Sequence, residues 1–553
     1  MVEESKDTIN KRKYNKIVNN PVMEDYALRY APKTFRKWSE GTVGIAALGG
    51  IAYLADFAIG GSLIVSYGFS NAFYGILIAG LIIFLTGIPI AYYAAKYNVD
   101  MDLLTRGAGF GYLGSTITSI IYASFTFIYF SLEGSVMAQA ISLYFNIPIR
   151  IAYLISALVI IPLVIYGITF LSKFQLYTQP LWFILMFAPL VIILNKSPHS
   201  LVTWVNFGGE AGSPVFNPLY TGLAAGVVLS LIAQIGEQVD YLRFMPEKRK
   251  QNSKKWIFWV MIAGPGWVIL GVIKELYGSF LAANVASQVG FEKATEPIYQ
   301  LLFAFDNVFN IGFIALTIAT LVIVLSQLKI NVTNAYSGSL SWSNFFSRTL
   351  HIHPGRVIWL FLNVAIGLTL MELGVFYILN EILGFYSNVA IAWIGAITSD
   401  LVINKKILKI SPDFIEFKRG HLYNINPVGF IPMILASIIS IMAFFNIFGP
   451  IAQAFSPFIS LTIAFALTPL IAILTKGKYY IARTSNINSL REKCVLCRYE
   501  YEKEDLLYCP FYNGTVCSLC CTLEKQCHEI CKKGSIHFNQ SLRIKINNRS
   551  EKL

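Results

Sequence analysis

Apolar windows about twenty residues long recur through roughly the first 480 positions, separated by short polar or charged segments. A hydrocarbon core about 30 Å thick takes about twenty residues of helix to cross, so each window is a candidate membrane span. Twelve are expected, at roughly 43–68, 71–95, 112–144, 151–172, 177–195, 219–243, 256–282, 302–335, 355–373, 375–402, 427–448 and 451–475, numbered spans 1 to 12 below. In lipid every backbone polar group must be satisfied within the protein, and helices do this segment by segment. The pattern therefore predicts an all-α polytopic membrane protein. It divides the chain into an N-terminal tail (1–40), a membrane domain (41–478), a linker (479–493), a cysteine-rich module (494–533) and a terminal tail (534–553). Composition agrees: of 553 residues, 55% are hydrophobic and only 14% charged, far from a soluble average.

The formal net charge of +13 reads as topology rather than as nucleic-acid binding. Nine Lys and Arg precede span 1, six follow span 6, and five (Lys405, Lys406, Lys409, Lys418, Arg419) follow span 10. Arg150, Lys196, Lys274 and Lys293 are assigned to the opposite side. Basic loops stay in the cytoplasm, so both termini are expected there, with the protein in the plasma (inner) membrane. The first 40 residues lack an apolar core of signal-peptide length.

Polar residues inside the apolar windows are the candidate chemistry, because a charge at bilayer depth normally faces a cavity or a partner. Span 6 carries Gln234, Gly236, Glu237, Gln238 and Asp240 before its basic run. Gly236 is expected to unwind the helix and present backbone groups to a solute, with Glu237 beside the solute or Lys329. The alternative is an ordinary helix end, strongest for Asp240, three residues before Arg243. In span 1, Gly49, Gly50, Gly60 and Gly61 surround Asp56. Either these glycines serve close helix packing or they mark a broken helix that handles an ion. Spans 1 and 6 hold corresponding places in two five-helix halves, and both carry glycine with an acid.

Span 3 contains one acid, Glu133, one turn after Tyr129 and on the same helix face. A carboxylate beside a phenol suits a heterocycle that donates N–H groups while its ring stacks; a structural ion pair or a proton carrier are the other readings. Span 8 places Lys329 within an apolar run, followed by Asn331, Thr333, Asn334 and Ser337. A lysine there pairs, deprotonates or snorkels to the surface.

Four stretches carry a resemblance to a known family: FGYLG (110–114), VDYLRFMP (239–246), NAYSGSL (334–340) and YSNVAIAWIGAITSDLVINKK (386–406). Over about residues 25–480 the chain resembles the nucleobase:cation symporter-1 family, which includes purine–cytosine, uracil, allantoin and hydantoin permeases. The resemblance implies the LeuT-type fold of two inverted five-helix repeats plus two helices. It also implies a midplane substrate site among spans 1, 3, 6 and 8, with Tyr129, Glu133, Ser230, Gln234, Glu237 and Asn334 as binding candidates. The family's stacking tryptophan falls at Tyr129 and its hydrogen-bonding glutamine at Glu133. Its second stacking position falls near Ser230 or Leu231, neither aromatic. Its sodium-coordinating positions fall near Ser326, Lys329 and Ile330, where an ammonium makes a poor sodium site. Asp56 and Lys329 are accordingly the coupling candidates, and sodium-independent transport is expected.

All eight cysteines lie in the last 60 residues: Cys494, Cys497, Cys509, Cys517, Cys520, Cys521, Cys527 and Cys531. Cytosolic disulfides are disfavoured, so two CxxC pairs and further thiols read as a metal site. Zinc is the expected cofactor, with an iron–sulfur cluster or redox-active thiols as alternatives. The segment resembles the cysteine-rich linker of permease–histidine kinase fusions. The membrane part has no phosphate loop, hydrolase elbow or catalytic metal motif, so no enzymatic activity is expected. The expected partners are a small nucleobase-like solute, the lipid bilayer and a cytoplasmic signalling protein. Two functions remain: a transporter, or a transporter-like sensor that signals through its tail.

Overall fold

The computed structural model describes residues 12–14, 18, 25, 27–485, 487 and 489–532; the expected tail at 534–553 lies outside them. Helices occupy all twelve expected span positions. Among the described residues nine helices are long and apolar enough to cross a membrane, ten when the bent pair Glu40–Ala52 and Ala55–Tyr67 counts as one span. Span 4 is shorter and divided into Ile149–Leu158 and Ile160–Ile165, and span 9 is the 17-residue Arg356–Glu372. Span 8 is displaced from its expected 302–335. Pro297–Phe309 is a separate helix, stopped by Asn310 in the left-handed conformation, and the span proper runs Gly312–Thr349. Its second half is rich in Ser and Asn, which lowers the hydropathy, yet Asn331, Asn334, Ser339, Ser341 and Asn344 are buried inside the bundle.

Local sequence sets several boundaries. Asn217–Pro218 opens span 6 and Asn426–Pro427 opens span 11. In each, the asparagine oxygen accepts from the amide two residues on, at 2.9 Å from Leu219 and 3.1 Å from Val428. Proline stands in the first turn, where no amide donor is needed. The FGYLG motif is a turn rather than part of span 3. Gly109 and Gly111 adopt φ of +89° and +79°, a region other residues avoid. The turn's amides at Tyr112 and Leu113 donate to Tyr423 and Asn424 carbonyls at 2.9 and 2.7 Å, fastening the loop after span 10.

Span 3 (Ser115–Phe145) lies along span 8, and span 1 lies along Trp267–Val289 of span 7. At the second contact the backbones touch: a Cβ on Gly60 would stand 1.9 Å from the Glu275 carbonyl oxygen, and one on Gly278 2.5 Å from Phe57 Cα. Such close approach substitutes for a hydrophobic driving force in lipid. On the outside, Leu81, Leu85, Leu181 and Ile184 are exposed, as lipid-facing side chains are.

Two spans are interrupted at mid-course. Span 1 runs Glu40–Gly49, tightens over Gly50–Ala52, breaks, and resumes at Ala55–Tyr67 with a 46° bend. Span 6 passes through a 3-10 stretch, Leu229–Gln234, between Pro218–Val228 and Ile235–Leu242. This corrects the expected break at Gly236, which lies inside the second helix. Its missing side chain instead admits the Tyr122 ring, whose atoms lie 2.6 Å from where a Cβ would be.

The cysteine-rich module holds four short strands: β1 (Arg491–Lys493), β2 (Glu500–Glu502), β3 (Leu506–Cys509) and β4 (Gly514–Cys517), followed by the helix Ser518–Leu523. The hairpins pair antiparallel, Lys493 opposite Glu500 and Cys509 opposite Gly514. The module is docked on the membrane domain. Arg29 pairs with Asp505 at 2.6 Å, Arg12 with Glu524 at 2.9 Å and Arg419 with Glu529 at 2.9 Å. The segment expected as a linker is packed too: the Tyr480 hydroxyl bonds Asp400, and the Ala482 amide donates to the His421 carbonyl at 2.8 Å. Both ends of the described chain thus sit on one face, among the lysine- and arginine-rich loops.

Candidate functional site

The break in span 1 frees backbone groups on both sides, and each set meets a charged side chain. Glu133 of span 3 accepts from the Leu54 amide at 3.1 Å and from the Ala55 amide at 3.1 Å. These amides begin the second half-helix, where the positive end of the helix dipole favours a carboxylate. On the other side, the Lys274 ammonium donates to the Ile51 carbonyl at 2.6 Å and the Tyr53 carbonyl at 2.8 Å. It also pairs with Asp56 at 2.9 Å and sits 3.7 Å from the centre of the Tyr53 ring. Lys274, Asp56 and Glu133 are all 0% exposed, so their charges are compensated inside the bundle.

Lys274 was expected on the outer side of the membrane and is instead buried mid-span. The pattern that marks it is visible in GVIKELYG, a Lys–Glu pair inside an apolar window, and Glu275 is buried beside it. Asp56 lies at the break, with its carboxylate turned to Lys274.

Tyr129 is buried, its hydroxyl 2.7 Å from Ser230 Oγ in the interrupted stretch of span 6, and its ring 4.5 Å from that of Phe125. Spans 3 and 6 are thereby joined at the depth of both breaks. Gln234 donates to Glu237 at 2.8 Å. The other Glu237 oxygen and the Asn334 side-chain oxygen have no hydrogen-bond partner among the described residues, although both side chains are buried. Asn334 donates to Asn331 at 3.1 Å. Asp240 is not an exposed helix end: it is buried and accepts from the Tyr122 hydroxyl at 2.9 Å, while Arg243 pairs with Asp100 at 3.1 Å.

Lys329 does not meet Glu237. Its ammonium donates to Thr178 Oγ1 at 2.8 Å and the Gln175 carbonyl at 3.2 Å, both on span 5. Ser326 likewise faces span 5, accepting from Trp182 at 2.8 Å. The side chain that faces the first half of span 1 is Thr333, one turn further on, whose Oγ1 lies 3.4 Å from where a Gly50 Cβ would stand. Beyond the second half of span 1 a cavity of about 270 Å³ is lined by Ser62, Ser66, Glu210, Glu292, Glu296 and Glu381 among others.

In the docked module, the sulfurs of Cys494, Cys497, Cys517 and Cys520 lie within 4.8 Å of one another, all buried. Four thiolates about 2.3 Å from one ion stand roughly 3.8 Å apart, so this donor set fits a tetrahedral metal. The Cys517 amide donates to Cys494 sulfur at 3.3 Å and the Cys520 amide to Cys517 sulfur at 3.4 Å, the outer support that thiolate ligands take. The other four, Cys509, Cys521, Cys527 and Cys531, do not join this cluster; they line one small cavity together.

Two spans interrupted at mid-course, one of them with freed backbone groups turned to buried charged side chains, are the mark of a secondary transporter of the broken-helix type. The chain belongs to the family described as permeases for cytosine/purines, uracil, thiamine and allantoin, whose profile matches residues 31–465. No curated protein matches it by sequence. Among solved structures it is similar to Mhp1, a nucleobase-cation-symport-1 family transporter in a closed conformation with bromovinylhydantoin bound. That match has 16% identity and a TM-score of 0.59, over 82% of this chain and 96% of that one. The inward-facing conformation of Mhp1 matches with 16% identity and a TM-score of 0.56, over 83% and 98% of the two chains. A Na+-coupled sialic acid symporter matches with 12% identity and a TM-score of 0.52, over 80% and 91%. The LeuT-type architecture follows. These identities are too low to carry a solute or an ion across.

Proposed function

We propose that this membrane transporter carries a nucleobase or a related nitrogen heterocycle by alternating access, without sodium. The observation that carries the reading is a pair of buried acceptors with no hydrogen-bond partner among the described residues, Glu237 on span 6 and Asn334 on span 8. A flat heterocycle would stack on Tyr129 and donate its ring N–H groups to these oxygens, satisfying polar atoms whose burial is otherwise costly. Ser230 and Gln234 complete the wall, and Glu133 holds the backbone against which the solute sits. One-sided stacking on Tyr129 fits a smaller ring than a two-aromatic clamp would hold.

The same reading places both termini in the cytoplasm of the plasma (inner) membrane, since the basic loops share their face. Zinc in the Cys494–Cys520 cluster is the metal its four-thiolate set suits best; bound there, it would supply folding stability rather than chemistry. The ion pairs between the module and Arg12, Arg29 and Arg419 favour a second reading, in which solute occupancy is reported through the tail to a cytoplasmic signalling partner.

Uptake of labelled cytosine, uracil, allantoin and hydantoin into proteoliposomes tests the proposal. Accumulation of at least one, equal in sodium and choline buffers, is expected. Binding without accumulation would favour the sensor, and binding of none would reject the heterocycle site.

A further inference from the structure

Deepening the sodium-independent reading just given, we propose that Lys274 is a tethered cation seated where a transporter of this architecture would otherwise bind its coupling cation.

The argument begins with what the break in span 1 does to hydrogen bonding. In an unbroken helix the Ile51 carbonyl would accept from the Ala55 amide, and the Tyr53 carbonyl from the Phe57 amide. Here the Ala55 amide goes to Glu133, and the Phe57 amide turns back to Leu54 at 3.0 Å. Two carbonyl oxygens are left pointing into the bundle at the C-terminal end of the first half-helix, where the dipole is negative. Freed carbonyls at such a break are the ordinary ligands of a monovalent metal cation, with a carboxylate completing the set. The Lys274 ammonium takes both carbonyls, at 2.6 and 2.8 Å, and the Asp56 carboxylate at 2.9 Å. The Tyr53 ring, 3.7 Å away, adds the face of an aromatic, which favours a cation.

Lys329 does not have this environment. Its partners, Thr178 and the Gln175 carbonyl, belong to the continuous helix Gly167–Lys196, so its ammonium fills no break. The surrogate cation expected at Lys329 is therefore reassigned to Lys274. Glu133 is the matching anion: on the amide side of the same break it occupies the place open to an anionic solute group in related architectures. One break is thus closed by an anion and a cation that both belong to the chain. The position vacated by shortening Lys274 is an oxygen cage of two carbonyls and one carboxylate, suited to sodium.

Equilibrium binding of 22Na+ to the purified full-length protein in detergent tests this without any solute. Lys274→Ala is expected to bind one more sodium per chain than the parent, saturably and without competition from choline. Adding Asp56→Asn to that variant should abolish the extra site. A folded Lys274→Ala protein that binds no more sodium than the parent would overturn the proposal. If Lys274→Ala is recovered folded only when purified in sodium, the cage is occupied and the proposal stands. If it is recovered in neither sodium nor choline, the neutral pair Lys274→Met with Asp56→Asn decides. Normal melting of that pair would mean the lysine is merely the counter-ion of Asp56, and would sink the idea; failure to fold, with Asp56→Asn alone folded, would show that the two carbonyls need their cation. Sodium-driven uptake by the parent would refute sodium independence, whereas the count of sites relative to the parent addresses Lys274 alone.

Discussion

Tyr129 and Glu133 stand one turn apart on span 3 and do different work. Tyr129 presents a ring beside the interrupted stretch of span 6, so Tyr129→Ala removes a stacking surface worth ~1 kcal/mol or more, about a fivefold loss of affinity. Isothermal titration with whichever heterocycle the parent accumulates reads this directly; unchanged affinity would remove Tyr129 from the site. Glu133 is bound to two amides, and Glu133→Gln would turn an NH2 group toward donors it cannot satisfy. That variant is expected to melt lower and to lose binding together, whereas a solute contact alone would cost binding only.

A second residue-scale consequence lies on the face that carries the tail. Burial works to raise the Glu416 carboxyl, but Lys418, the His421 ring at 2.7 Å and the Lys418 amide at 2.9 Å outweigh it and hold the carboxyl at about 2. A depressed carboxyl stabilises the fold fully above its unfolded value near 4.5 and loses that contribution as pH falls toward about 2. Hydrogen-exchange protection factors at residues 416–421, which correct for the pH dependence of the chemical rate, should therefore hold from pH 7 down to about 4.5 and fall below it. Glu416→Gln should quicken exchange already at pH 7; exchange equal to the parent's at pH 7 would mean the cluster contributes nothing.

At the scale of elements, the contact between spans 1 and 7 decides how rigidly the break is held. Gly60 and Gly278 let two backbones touch, and a side chain at either has nowhere to go. Gly60→Ala or Gly278→Ala is expected to destabilise by about 1–3 kcal/mol, the usual cost of overpacking. The matched control is Gly312→Ala, at a helix start where a Cβ would meet nothing within 4 Å. Thermal melting in detergent should rank the first two below the third. Because Gly60 abuts the carbonyl of Glu275, next to Lys274, forcing the helices apart also pulls the ammonium from its carbonyls. Loss of activity is thus expected to accompany loss of stability.

At the scale of the whole molecule, the basic segments flanking the spans hold the cysteine-rich module. Arg12, Arg29 and Arg419 receive Glu524, Asp505 and Glu529, respectively, of the cysteine-rich module, and His351 Nδ1 lies 2.9 Å from the Thr522 carbonyl oxygen. A module this small lacks an adequate apolar core and would depend on a metal in its four-cysteine cluster, which contributes on the order of 10 kcal/mol or more in comparable zinc modules. Truncation at Ser489 is expected to leave a membrane-inserted protein that binds its heterocycle, with raised hydrogen exchange over residues 27–33 and 416–424. Chelation of the full chain should reproduce that pattern, and metal analysis should find one zinc per chain, or two if Cys509, Cys521, Cys527 and Cys531 hold another. An unfolded truncated chain would mean that the module is part of the membrane fold.

The sequence by itself determined the class of protein, the approximate positions of most of its helices along the chain and the segregation of every cysteine into one module. These are local properties: hydropathy over twenty residues, and the spacing of like side chains. It also marked Tyr129, Glu133 and Glu237, since a polar group inside an apolar window is visible without a partner. Only the tertiary structure decided what those groups meet. Lys274 reads as one charge near the end of a span until span 1 folds against it and presents two freed carbonyls. Lys329 reads as a partner for Glu237 until span 5 takes it. Gly236 reads as a break until Tyr122 fills the space above it. In each case the deciding partner comes from a different helix, and the free energy of a buried charge depends on that partner far more than on its neighbours in the chain.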